Sequence, residues 1–146
     1  MTDIRRVACG AALVAGLFAS ACRAREAAPA DAAQPVVVWR AVGSWSGRGN
    51  SQTESFTSDT GALRVRWETT PAAPAAKAGI FRLTAHSAIS GRLLEQVVDH
   101  QGASHGVGYV NQDPHTFYMS VESADLSWKF SVEEGVVGQI VGESHR

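Results

Sequence analysis

Between Phe117 and Glu134 (FYMSVESADLSWKFSVEE) apolar and polar residues alternate almost without interruption. Phe117, Met119 and Val121 are separated by Tyr118, Ser120 and Glu122. After Ser123-Ala124-Asp125, Trp128, Phe130 and Val132 are separated by Lys129, Ser131 and Glu133. Strand side chains point alternately to opposite faces, so a period of two marks half-buried strands. The apolar stripe of a helix recurs every three to four residues instead. The pattern predicts an antiparallel hairpin turning at 123–125, with one apolar face that a second layer must cover.

The rest of the body reads the same way. In 36–46 (VVVWRAVGSWS), Val37, Trp39, Ala41 and Trp45 share one parity, and Val36, Val38 and Val42 the other. Such a run suits a strand covered on both sides, or one whose pleat is interrupted near Gly43. A short strand centres on Phe56, and Ser58-Asp59-Thr60-Gly61 is a turn signal. Leu63, Val65 and Trp67 alternate with Arg64, Arg66 and Glu68, and Phe81, Leu83 and Ala85 with Arg82, Thr84 and His86. Pro71 and Pro74 place a loop at 70–78. Strands are also predicted at 93–98 and around Tyr109-Val110, with a glycine-rich loop at 99–108 between them. Val136, Val137, Ile140 and Val141 predict a last edge strand.

No stretch of the body has helical period. About eight strands joined by Gly, Pro, Asn and Asp turns predict an all-β fold, a single antiparallel β-sandwich over 36–142 with a tail at 143–146. Trp39, Trp67, Phe81, Phe117, Trp128 and Phe130 are available to fill its core. The order of features, a Trp/Gly opening, ESF, LRVRWE, G-x-F-x-L, then FY-x-x-V and W-x-F-x-V-E, is similar to small CUB-like or jelly-roll modules of exported bacterial proteins. The likeness covers most of 39–134. It implies a fold and carries no catalytic residue.

The N-terminus reads as an address. Arg5-Arg6 precede an apolar run from Val7 to Ala21. As a helix that run spans only about 22 Å, short of the roughly 30 Å hydrocarbon core, so residues 1–21 are predicted to be a signal peptide. Ala19-Ser20-Ala21-Cys22 resembles the bacterial lipobox, which implies a lipid on Cys22 and a membrane anchor. Ala19-Ser20-Ala21 also satisfies the A-x-A rule for ordinary cleavage, which would release a soluble periplasmic or secreted chain. Arg23 is not the aspartate that holds lipoproteins in the inner membrane, so the resemblance favours the outer membrane in a host with two. Residues 22–35, rich in alanine and proline without an apolar face, are predicted to be a disordered tether.

The whole chain carries a formal charge of −1 with 18% charged residues, which gives no electrostatic case for nucleic acid. Cleavage before Cys22 removes Arg5, Arg6 and Asp3, and leaves 11 basic and 13 acidic residues. The only cysteines are Cys9 and Cys22, which excludes a disulfide framework or a cysteine zinc site in the body.

Candidate chemistry is sparse. His100, His105 and His115, with Asp99 and Asp113, fall in two predicted loops. If brought together, their imidazoles and carboxylates are zinc or copper ligands, and with Asp125 the carboxylates are calcium ligands. Loop Asp and His also serve turns alone, and the H-x4-H spacing matches no metal signature. No G-x-S-x-G elbow is present, and Glu133-Glu134 are adjacent, so strand alternation sends them to opposite faces. Trp45, Tyr109 and Tyr118 are candidate exposed aromatics for stacking on a glycan or gripping an envelope protein. The function expected is a non-catalytic binding or accessory module of the cell envelope, requiring no cofactor. The alternative is a metal-binding sandwich.

Overall fold

The structure, a computed structural model, describes residues 35–74 and 78–139. The predicted leader, the tether with Cys22 over 22–34, Ile140-Val141 and the 143–146 tail lie outside the described residues, while Pro35, expected to end the tether, opens the first strand.

Among the described residues nine strands form two antiparallel sheets. They are β1 (Pro35–Arg48), β2 (Ser51–Gln52), β3 (Phe56–Ser58), β4 (Ala62–Pro71), β5 (Ile80–Ser87), β6 (Leu93–Gln101), β7 (Ser104–Asn111), β8 (His115–Ala124) and β9 (Leu126–Gln139). The first sheet has the order β1-β9-β4-β7; the second has β2-β8-β5-β6, with β3 also paired to β8. Thr53 bridges the gap between β2 and β3: its N–H donates to the Met119 carbonyl (2.9 Å), and its Oγ1 accepts from the Met119 N–H (3.0 Å). Taken as one interrupted strand, β2 and β3 complete an eight-stranded jelly roll, in which each sheet draws strands from both halves of the chain.

The all-β sandwich expected from the sequence is therefore what the chain forms, but it departs from the expected strand layout in three places. The predicted 117–134 hairpin does not exist. β8 lies in the second sheet and β9 in the first, and the chain crosses between them at Asp125 (φ 60°). One residue is too short for a hairpin loop, and aspartate tolerates this left-handed conformation. Alternation shows that a strand is half-buried, not which strand it pairs with. The predicted glycine-rich loop is instead the end of β6, a turn at Gly102-Ala103, and β7, which extends the predicted Tyr109-Val110 strand back to Ser104. Residues 135–139 continue β9 instead of starting a new strand, and they pair with β1 alone because the β4 pairing of β9 ends at Glu134.

The inward faces close on one core. Leu63, Val65, Phe130 and Val132 of the first sheet meet Phe81, Leu83, Phe117 and Met119 of the second, all buried. Burial of each such side chain contributes roughly 1.5–3 kcal/mol. β1 pairs with β9 from Pro35↔Gln139 to Arg48↔Ser127, with a bulge between Ala41 and Gly43. The extra residue reverses the pleat, as the sequence allowed near Gly43. Trp39 and Trp45, six apart, would otherwise share a face. Trp45 instead turns inward to stack on Phe130 (5.3 Å), whereas Trp39, expected in the core, lies on the outer face near Tyr109 (6.3 Å).

Each tryptophan lies over a glycine. Trp39 faces Gly135, Trp67 faces Gly106 and Trp128 faces Gly47 as direct cross-strand partners, while Trp45 folds back over Gly43. A β-carbon at Gly47 would stand 2.9 Å from the Trp128 ring, and one at Gly106 would stand 3.0 Å from Trp67. The missing side chains let the indoles lie flat across neighbouring strands, so aromatic area replaces the contacts that glycine lacks. Trp128 is further pinned by its Nε1–H, which donates to the Gly49 carbonyl (2.9 Å).

Candidate binding face on the outer surface of the first sheet

Four rows cross the outer face of β1-β9-β4-β7. They read Ala41–Glu133–Arg64–Tyr109, Ser44–Ser131–Arg66–Val107, Ser46–Lys129–Glu68–His105 and Arg48–Ser127–Thr70. The β1 side of this grid carries small residues and β4 carries long charged ones. A groove of about 400 Å³ opens where they meet, lined by residues 44–46, 66–68 and 129–131. Trp45, Trp67 and Phe130 among them pack toward the core, and the outward side chains are Ser44, Ser46, Ser131, Arg66, Glu68 and Lys129. A smaller depression of about 130 Å³ shares Glu68 and Lys129 and extends to Thr70, Ser127 and Trp128. The depth follows from composition. Serines on adjacent strands leave space that the arginine, glutamate and lysine stems wall in.

Ion pairs order the walls. Arg64 Nε and Arg66 Nε both donate to Oε2 of Glu133, at 2.7 and 3.2 Å. The Arg64 and Arg66 hydrogen bonds hold the Glu133 carboxyl below its ordinary range, outweighing the upward push of burial. Lys129 Nζ pairs with Glu68 at 2.9 Å and lowers that carboxyl likewise, first through its hydrogen bond. At the upper end the Arg64 guanidinium lies 4.3 Å over the Trp39 ring, a cation–π contact beside the half-exposed Tyr109. The second sheet has the opposite balance on its outer face. There one arginine, Arg82, sits between two carboxylates, Asp99 (3.4 Å) and Glu122 (2.9 Å).

Glu133 and Glu134 do point to opposite faces. Glu134 is the next inward position after Trp128, Phe130 and Val132, and it is fully buried at one end of the sandwich. Its Oε1 accepts from Ser58 Oγ (2.7 Å), Asp59 N (2.6 Å), Thr60 N (3.0 Å) and Thr60 Oγ1 (3.2 Å). Its Oε2 accepts from Arg40 Nη2. Burial alone would push this carboxyl up. The hydrogen bonds from Ser58, Arg40 and the Thr60 and Asp59 backbone outweigh it and hold the carboxyl down to about 2. Glu134 is thus ionised and saturated with donors, which suits it to anchoring the β3–β4 turn and not to acid–base chemistry near neutral pH. A glutamate in phase with an apolar strand face was the available sequence signal for this anchor.

The predicted metal residues are not brought together. His100 turns inward against Trp67 (ring centroids 5.3 Å), and His105 faces outward on the first sheet opposite Glu68. His115 Nε2 lies 2.7 Å from Ser87 Oγ, Asp99 pairs with Arg82 on the second sheet, and Asp113 lies exposed in the β7–β8 turn. Among the described residues no three His, Cys, Asp or Glu side chains converge as a metal site. Strand register, not loop proximity, governs four of the five, because Asp99 and His100 lie in β6, His105 in β7 and His115 at the start of β8. Ser87 and His115 have nucleophile–base spacing. Ser87 is buried, however, and among the described residues no carboxylate is hydrogen-bonded to His115 to orient it, so the pair lacks access and a third member.

The three predicted aromatics separate as well. Tyr109 is 52% exposed on the first sheet. Tyr118 stacks on His86 (4.9 Å, 12° between planes) on the outer face of the second. Trp45 belongs to the core edge, its Nε1–H donating to Glu54 Oε2 (3.0 Å). Sequence reading identified Tyr109 but missed Arg66, Lys129 and the serines around them. Their single signal was a polar strand face of mixed charge, which is the ordinary composition of a solvated sheet. Compared with known proteins, the chain matches no family model, no curated protein and no solved structure, so its functional reading rests on its own residues.

Proposed function

We propose that this chain is a non-catalytic binding module of the cell envelope, held there by a lipid on Cys22, and that its recognition surface is the outer face of β1-β9-β4-β7. The observation that carries the reading is the groove of about 400 Å³ across that face, with serine hydroxyls in its floor and Arg66, Glu68 and Lys129 in its walls. Concave sites with a few oriented polar groups on a rigid scaffold bind ligands. The residues there offer hydrogen bonds and charge, with no activated nucleophile or poised acid–base pair.

A photo-crosslinking residue at Ser46, inside the groove, is expected to give one discrete adduct in native envelopes, lost when Arg66 and Lys129 are changed to alanine. The same residue at Gln96, on the opposite sheet, is expected to give none. Equal adducts from both positions, or none from Ser46, would remove the face as the recognition surface. For the anchor, the chain extracted from membranes is expected to have the mass of residues 22–146 plus a lipid adduct that a Cys22→Ser variant lacks. An unmodified chain in the soluble fraction would reject the anchor.

A further inference from the structure

The groove face carries one surplus positive charge toward each end. At one end Arg64 and Arg66 share the single carboxylate of Glu133, through one of its oxygens. Among the described residues no second carboxylate reaches either guanidinium. At the other end Arg48 Nε donates to Ser127 Oγ (3.0 Å), on the residue that lines the smaller depression, and forms no ion pair among the described residues. Between them Lys129 and Glu68 neutralise one another. Ser131 and Ser127 mark the two ends on β9, four residues apart, or about 13 Å at strand rise.

We infer that the groove binds an acidic polysaccharide strand, with uronate carboxylates at Arg66 and Arg48 and sugar hydroxyls along Ser44, Ser46, Ser131 and Ser127. Charge complementarity supports this occupant. The face carries an excess of cations although the chain as a whole is net negative, and the opposite sheet reverses the balance around Arg82. A guanidinium with free N–H groups takes a carboxylate in a fixed, bidentate geometry. The aromatic lining residues Trp45, Trp67 and Phe130 are committed to the core, so the side chains turned toward a ligand are serine hydroxyls and charged stems rather than the aromatic anchors on which a protein interface depends. Tyr109 extends the same face and offers a ring for stacking a further sugar.

This inference rests on the groove being the recognition surface and adds the class of ligand, so its test varies the ligand. The full chain is titrated with polygalacturonate, alginate and hyaluronan, and with fully methyl-esterified polygalacturonate, at low and moderate salt. At least one acid polymer is expected to bind, with affinity falling as salt rises. Arg66→Ala and Arg48→Ala are each expected to weaken it roughly tenfold, Arg66→Lys to weaken it less, and Arg82→Ala on the other sheet to leave it unchanged. Arg66 and Arg48 are exposed, so retained unfolding midpoints separate loss of binding from loss of fold. Equal binding of the ester would reject the need for an anion while leaving the groove a glycan site. Failure of all three acid polymers would overturn the inference and leave the Ser46 crosslink to judge the groove itself. Binding to phosphatidylglycerol vesicles in place of the polymers would assign the face to a lipid surface and overturn it too.

Discussion

Replacing Glu134 with alanine is expected to destabilise the folded domain by about 3–5 kcal/mol, since several donors lose one charged acceptor at about 1–3 kcal/mol each. The loss has two sources. The hydroxyls of Ser58 and Thr60 and the N–H groups of Asp59 and Thr60 lose their common acceptor at a buried end of the sandwich. Arg40 also loses its nearest carboxylate and keeps only the longer approach to Asp59 at 3.7 Å. Glu134→Gln retains an acceptor oxygen and the side-chain volume, so its cost is expected to be smaller, about 1–3 kcal/mol. The direction of the pH effect follows from a carboxyl held at about 2 in the folded chain against 4.5 as its ordinary value. Its contribution is fully present above pH 4.5 and is lost as pH falls toward 2. Partial solvent screening through the exposed Arg40 holds that contribution to about 2–3 kcal/mol. Urea unfolding of the wild type and Glu134→Gln from about pH 7 to pH 2 checks this. The variant's stability should fall less steeply at acid pH, and parallel curves would show that Glu134 is not the carboxylate responsible.

Gly61→Ala is expected to cost about 3 kcal/mol or more, although it adds a single methyl group. Gly61 follows the turn that holds Glu134, at φ 71°. Its N–H donates to Ser58 Oγ (2.9 Å), and its carbonyl accepts from the Gln112 N–H (3.1 Å). A β-carbon there would overlap the Gln112 carbonyl oxygen and stand 2.6 Å from that of Asp113. Left-handed backbone costs a residue with a side chain about 1–2 kcal/mol, and forced overlap in packed structure adds roughly 1–3. Gly49 separates the two terms, because it has φ 66° and a β-carbon there would meet nothing within 4 Å. Gly49→Ala therefore carries the backbone cost alone, about 1–2 kcal/mol. For a domain near 100 residues each kcal/mol lowers Tm by about 4–8 °C. The overlap term alone should accordingly make Gly61→Ala melt at least about 4 °C below Gly49→Ala. Coincident melting would mean that the β7–β8 turn does not press on Gly61.

These two expectations meet at one corner, where β1, β9 and the β3–β4 and β7–β8 turns come together. Its parts were individually legible. Ser58-Asp59-Thr60-Gly61 has the composition of a turn, and Glu134 is the one charged residue in phase with Trp128, Phe130 and Val132. Their meeting was not, because 74–76 residues separate Thr60, Asp59 and Ser58 from Glu134 in the chain. The groove is a similar case. Arg64, Arg66 and Glu68 are legible as the polar face of β4, but Glu133 and Lys129 come from β9 and the serine floor from β1 and β9. Only the register Ser44↔Ser131 and Arg66↔Ser131 puts them in one row.

The class of fold and the sidedness of most strands are local properties, written in the order of the residues. Period-two alternation in β4, β5, β8 and β9 assigns each side chain to core or solvent through backbone geometry alone, with no knowledge of partners. Pairing is not local. The folded chain sends β8 and β9 to different sheets through one residue at Asp125 and makes two strands of a glycine-rich stretch. It also reverses the pleat of β1, so that Trp39 and Trp45 part company. Such choices depend on contacts between distant segments, and a local pattern is equally satisfied by any partner that covers its apolar face. The groove on the first sheet, which carries the functional reading, is a product of that pairing.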